Sequence, residues 1–279
     1  MKAIIFSLLG WMFLPVMDGF AKYLSADLPV LQITWARYFF TVAFTLPIMF
    51  FFYNRQLVWS DKPKLQILRG LILLSANICF FYSISIISLA KALTLAFIAP
   101  LIVTILSPVF LGEKVGIRRW LAVIVGFFGS LIVLRPGFVE INLASIAALA
   151  TGVLYGFYLI VTKKLHKSDH PLLTLLLTGV VGAIIGSLIV PSIWVQPSIQ
   201  EWYMMFAIGF FASIGHLFLI LSLRFADASK LAPFGYFEIV TNIIIGYYYF
   251  NHLPDLFHFI GLFIIIASGI YIFKREVNI

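Results

Sequence analysis

The chain has 279 residues, of which 62% are hydrophobic, 17% aromatic and 11% charged, with a formal net charge of +8 and a mean hydropathy of +1.08. Soluble domains run nearer to roughly 45–50% apolar and about 25% charged, so a soluble fold could not bury this much apolar side chain, and intrinsic disorder is excluded for the same reason. What is left is a polytopic membrane protein, with room for roughly ten helices of about 20 residues each and no sizeable soluble domain.

Apolar runs break at joints containing charge, proline or glycine. They predict helices over 3–22, 29–52, 66–86, 89–111, 117–135, 142–163, 171–191, 203–223, 229–250 and 256–273. The runs are continuous, without the alternation of a β-barrel strand. The first run follows Lys2 but shows no small-x-small cleavage site before DGFAK, so it is read as a spanning helix and not as a signal peptide. The single cysteine, Cys79, allows no internal disulfide and sits in an apolar run as a small packed residue.

Orientation follows the lysines and arginines. With the N-terminus inside, the cytoplasmic set is Lys2, then Arg55, Lys62, Lys64 and Arg69, then Lys114, Arg118 and Arg119. It continues with Lys163, Lys164 and Lys167, then Arg224 and Lys230, then Lys274 and Arg275. Only Lys22, Lys91 and Arg135 fall outside, which places both termini in the cytoplasm. Basic residues distributed this way encode topology and do not argue for nucleic acid binding.

Five predicted helices precede residue 138 and five follow it, giving two units, 1–138 and 139–279. Five is odd, so the second unit enters the membrane from the opposite side. The joints agree: the basic one after the second helix is matched by PSIWVQPSIQEW, and GEKVGIRR by NHLPD, neither of which has Lys or Arg. AKALTLAFIAP echoes ADASKLAPFGY, and LAVIVGFFG echoes GLFIIIASG. The expected fold is all-α, with ten transmembrane helices as two inverted five-helix repeats, an architecture of secondary transporters that bind substrate at the midplane.

Three stretches carry a family resemblance: APLIVTILSPVFLGEKVGIRRWLAVIVGFFGSLIVLRPG, ADASKLAPFGYFEIVTNIIIGYYYF, and LPD followed by GLFIIIASGIYIFKRE. They resemble the EamA-type drug/metabolite transporter superfamily over nearly the whole chain. The resemblance implies a ten-helix carrier in a bacterial inner membrane with a central cavity. Members similar to this chain carry amino acids, riboflavin, S-adenosylmethionine and other small metabolites. Asn251-His252 stands where the first unit has Gly112-Glu113, so no shared role is expected for the two pairs.

Ionisable groups deep in a membrane are expensive and normally face the bundle interior. Glu238 lies about nine residues into the ninth run, followed by Thr241 and Asn242; it either meets a polar substrate group or a coupling proton, or locks to Arg37 or His216. Asp18 shares a helical face with Ser7, Trp11 and Lys22, as part of a polar path or as a partner of Lys22. Arg37, in a stripe with Thr34, Thr41 and Thr45, suits a carboxylate from substrate or from Asp18, or it snorkels. His216, mid-helix, suits proton coupling or an interhelical hydrogen bond.

Trp11, Tyr155, Tyr158, Tyr236, Asn77 and Tyr82 are candidate cavity walls, with ordinary packing as the alternative. Pro100, Pro108 and Pro233 interrupt predicted helices and are candidate kinks or gates, as are Pro15 and Pro47. His166 and His170 flank Asp169 in a basic joint and read as a solvated loop, not a metal site; His252 and His258 lie at the outer interface.

These residues point to a secondary carrier of a small polar or zwitterionic metabolite, an amino acid, a riboflavin-like vitamin or an S-adenosylmethionine-like compound. No phosphate-binding loop motif occurs in the sequence. The alternatives are a polytopic membrane enzyme, which needs convergent catalytic groups, and a channel, which needs charge rings or a carbonyl filter. No cofactor is expected. The expected partners are a small-molecule substrate and the lipid bilayer; a monomer and a homodimer both fit.

Overall fold

The structure, a computed structural model, describes residues 2–52, 60–134, 142–250 and 256–277, and every regular element among them is helical. Arg55, Arg135, Asn251 and His252 lie outside the described residues, as do the side chains of His258, Lys274 and Arg275. In chain order the helices are α1 (Lys2–Leu24), α2 (Val30–Phe52), α3 (Pro63–Ile86), α4 (Leu89–Ala96), α5 (Ala99–Leu111) and α6 (Ile117–Leu134). They continue as α7 (Leu143–Leu165), α8 (Pro171–Ile189), α9 (Ile199–Phe225), α10 (Ala228–Leu231), α11 (Glu238–Phe250) and α12 (Leu256–Val277). A 3₁₀ segment, Ala232–Phe237, joins α10 to α11.

Local chemistry sets the boundaries. Pro63 occupies the first turn of α3 and starts it three residues ahead of the apolar run. A capping box, Ser198 with Glu201, starts α9 before its apolar stretch begins. Gly112, at φ 68°, ends α5 in the left-handed region.

Two runs expected as single helices are broken. The fourth stops at Ala96 and resumes at Ala99; the ninth passes through 3₁₀ turns and resumes as α-helix at Glu238. In both the break follows a proline or precedes one, where a backbone donor is missing: Pro100 in the first turn of α5 and Pro233 in the 3₁₀ segment. Among the described residues seven helical stretches are long and apolar enough to cross a membrane, the fourth run counting as one of them; α6, α11 and α12 are not in that number. Standing alone, the 13 residues of α11 reach only about 20 Å, short of a hydrocarbon core of about 30 Å.

The principal packings join the first half of the chain to the second. α1 lies on α9, α2 on α8 and α9, α3 on α7 and α8, α5 on α7, and α6 on α12. The outer surface is apolar, with Phe51 84% and Leu188 79% exposed, as lipid contact requires of a chain that cannot hide such side chains from water. Close approach comes from small residues. α1 and α9 cross at Gly10 and Gly215, where a side-chain carbon on Gly10 would lie 3.0 Å from the Gly215 carbonyl oxygen. α7 meets the α4–α5 break at Gly152, where a side-chain carbon would lie 2.5 Å from the Ala96 carbonyl oxygen.

Because that neighbour is backbone and cannot rotate away, Gly152→Ala should destabilise the protein by about 1–3 kcal/mol. Gly246→Ala, with nothing within 4 Å of the added carbon, should leave stability unchanged or raise it by up to about 1 kcal/mol. Melting of the two purified variants beside the parent protein checks both; equal melting temperatures would contradict the tight α7 crossing.

Candidate functional site

The two breaks, the α1–α9 crossing and the α7 crossing converge on one cavity of about 70 Å³. That is room for roughly five waters. Trp11 and Asp18, two turns apart on α1, face into it together. Opposite them are Thr151 and Tyr155 of α7, while His216 closes the cavity from α9 and Asn77 from α3. The breaks supply Phe97, Pro100, Gly235 and Glu238. Glu238 is the first residue of α11, its backbone N–H already bonded to the Gly235 carbonyl of the preceding 3₁₀ turns. Aromatic rings pack around this space: Trp11 lies 5.8 Å from Tyr155, and Phe97 meets the edge of Tyr236 at 5.6 Å.

Two carboxylates thus face one buried cavity. Asp18 is 3% exposed and Glu238 8%, and burial together with their proximity disfavours charge on both at once. Neither is in an ion pair or accepts a side-chain hydrogen bond among the described residues, and Asp18 Oδ1 and the Tyr155 hydroxyl are buried without a partner. Arg37 pulls on Asp18 electrostatically from beyond ion-pair distance. Lys22 donates to the Ile84 and Ile87 carbonyls, not to Asp18. Asn242 Nδ2 donates to the Glu238 carbonyl oxygen at 3.1 Å, so it touches that residue's backbone and not its carboxylate.

Behind His216 lies a second polar group. Arg37 Nη2 meets His216 Nε2 at 2.6 Å, and His216 Nδ1 meets the Tyr158 hydroxyl at 3.0 Å. An arginine can only donate, so Nε2 accepts, Nδ1 carries the proton, and the ring is neutral. Tyr158 also accepts from Arg69 Nη2 at 2.6 Å. Arg69 further binds Thr162, the Thr174 carbonyl and Thr178, and it is 0% exposed. The sequence reading counts Arg69 in the cytoplasmic charge set, near the start of a predicted helix, and gives it no site role; α3 starts at Pro63, which carries Arg69 into its second turn and into the bundle. Proline as a helix starter was the signal that could have shown it.

The other expected residues are placed as follows. Trp11, Asp18, Asn77, Tyr155, His216, Glu238 and Pro100 come together in the cavity. Arg37 and Tyr158 stand behind it. Tyr236 packs on Gly126 and donates to the Val123 carbonyl at 3.0 Å. Tyr82, Pro108 and Pro233 do not line it. Asp169, expected in a solvated loop, is 8% exposed and accepts from Ser60, the Asp61 N–H and Gln66. His166 and His170 engage backbone, at Lys163 and Leu172.

The comparisons bear on this geometry. The chain matches the EamA-like transporter family over residues 1–135 and 142–274. The chain belongs to the EamA-like transporter family. It is 28% identical over 273 residues to an S-adenosylmethionine uptake transporter of Rickettsia conorii, covering 96% of this chain and 92% of that protein. It is 24% identical over 265 residues to a riboflavin transporter of Vibrio cholerae, covering 94% and 89%. A crystal structure at 16% identity shares the fold with a TM-score of 0.77 over 96% of this chain and 94% of that one. This EamA protein is an integral membrane secondary transporter.

Glu113, for which sequence gave no role, accepts from the Ala228 and Ser229 N–H groups at 2.8 and 2.9 Å. It caps α10, whose own N-cap residue, Asp227, makes no such bond, and so ties the α5–α6 joint to the start of the ninth run. Glu113→Ala should cost about 1–2 kcal/mol; an unchanged melting temperature in the purified variant would contradict the capping role.

Proposed function

We propose that this transporter carries a cationic metabolite bearing an aromatic ring system, of the S-adenosylmethionine class, across a bacterial inner membrane by alternating access, the cavity of about 70 Å³ being the contracted form of a site that widens to admit it. The observation behind it is the pair Asp18 and Glu238, facing one aromatic-walled cavity with no cation among the described residues paired to either. Two close carboxylates in a low-dielectric site cannot both stay ionised without a positive charge between them. A sulfonium or ammonium group supplies that charge, and the faces of Trp11 and Tyr155 attract it further while stacking on a ring. A neutral solute such as riboflavin would leave both carboxylates unanswered.

For the architecture, we take 1–138 and 139–279 as inverted repeats giving ten crossings, with Ala99–Leu111 and Glu238–Phe250 each completing a broken one. The packing supports this. Exchanging each crossing for its counterpart five places along turns α1 on α9 into α7 on α3, and leaves α2 on α8 and α6 on α12 as pairs that map onto themselves. Lys22, ending α1, donates to carbonyls at the end of α3; Lys163, ending α7, donates to the Leu223 and Ala226 carbonyls at the end of α9. The charge distribution favours both termini in the cytoplasm, and the two breaks meeting at the cavity suit a site at the repeat interface.

Proteoliposomes holding only this protein should take up labelled S-adenosylmethionine saturably and show counterflow when preloaded with the unlabelled compound. Asp18→Asn and Glu238→Gln should each weaken apparent affinity at least about tenfold, equivalent to about 1.4 kcal/mol. Folded protein giving neither uptake nor counterflow would rule out this substrate class.

A further inference from the structure

A second cavity, of about 10 Å³, lies on the far side of His216 from the substrate cavity, among α2, α3, α7, α8 and α9. Two guanidiniums border it, Arg37 at 2% exposure and Arg69 at 0%, together with Tyr158. Leu73, Leu175 and Ala212 make the rest of the wall apolar. Neither arginine is in an ion pair among the described residues; the acids that could balance them, Asp18 and Glu238, face the other cavity with the neutral His216 ring between. Arg37 lies over the Tyr38 ring and Arg69 over the Tyr158 ring, each at 4.5 Å, but two buried positive charges with no anionic partner among the described residues are costly in a membrane interior.

Hydrogen-bond accounting says what would answer them. Arg37 uses Nε on Met17 and Nη2 on His216, and no described partner receives the Nη1 protons. Arg69 Nη2 spends one hydrogen on Tyr158 and has a second. Since His216 Nδ1–H donates to the Tyr158 oxygen, the tyrosine's own hydrogen is unspent. The nearby hydroxyls of Thr41 and Thr178 already spend their hydrogens on carbonyls of their own helices, and Thr178 accepts from Arg69. The unspent groups are therefore donors. A water could use the lone pairs left on Thr41 and Thr178 but would leave both guanidinium charges unbalanced, whereas an anion answers the donors and the charge together. The volume admits about one water-sized sphere, which excludes a carboxylate-bearing metabolite.

We propose that this cavity binds one halide-sized monovalent anion, chloride under cellular conditions, held by Arg37, Arg69 and the Tyr158 hydroxyl. The ion is the counter-charge that allows α2, α3, α7 and α9 to pack around two arginines, and it stands apart from the transported solute.

The full-length protein, purified in detergent, is melted in sodium chloride and in sodium gluconate at equal ionic strength, and binding of radiolabelled chloride is measured in parallel. Chloride should raise the melting temperature saturably by a few degrees, with one labelled ion bound per chain. Tyr158→Phe, which removes only the hydroxyl, should weaken chloride about tenfold, the worth of one charge-assisted hydrogen bond. Arg37→Gln should abolish the effect. A melting temperature indifferent to chloride with no stoichiometric label in the parent protein overturns the proposal. So does a chloride affinity undiminished in both variants, because the ion would then sit elsewhere.

Discussion

An unpaired carboxylate inside a membrane protein is the constraint around which this bundle is arranged. Asp18 and Glu238 look into the same enclosed space, and among the described residues neither has a cation within ion-pair distance. Each feature that creates the space also brings a carboxylate to it. The Gly10–Gly215 crossing sets α1 tightly on α9 and turns Asp18 toward His216. The break in the ninth run puts Glu238 where 3₁₀ turns pass into α11, on the wall of the cavity. Gly152 lets α7 reach the other break and carries Tyr155 to the aromatic wall. Packing in lipid gains nothing from expelling water between helices, so such small-residue contacts carry much of the association.

Charge is segregated across His216. Acids face the larger cavity, arginines the smaller, and the neutral ring between them joins both polar groups through Arg37 and Tyr158. As long as Arg37 holds the Nε2 lone pair, His216 has no site for a second proton. Proton coupling through His216, one of the roles its sequence position suggested, would first require Arg37 to leave. Two further ties cross the chain's midpoint at its polar joints: Glu113 to the start of α10, and Asp169 to Ser60, Asp61 and Gln66. They are among the contacts that rocking of one half against the other would have to break.

Helix positions were legible in the sequence because apolar run length is a direct consequence of membrane thickness. Asp18, Glu238, His216, Trp11, Tyr155 and Asn77 were legible as a group because polar side chains are rare in such runs. The breaks were less so: Pro100 and Pro233 signalled kinks, but an interruption of α-helix at Phe97–Ile98 depends on what α7 presents there through Gly152. Asp169 was misread as solvated, and Arg69 and Glu113 were given no site or capping role, for one reason. Charge near a run's end is normally solvated, and only partners distant in sequence, such as Thr178, Ala228 and Gln66, make burial tolerable.

The sharpest discriminator is positive charge at constant shape. S-adenosylmethionine and its demethylated thioether share the ring, ribose and amino-acid end, and differ by one methyl group and the sulfonium charge. Direct binding to the purified protein should favour the sulfonium at least about tenfold, and Glu238→Gln should erase most of that preference. Equal affinities in the parent protein, or a preference untouched by Glu238→Gln, would contradict selection by the two carboxylates.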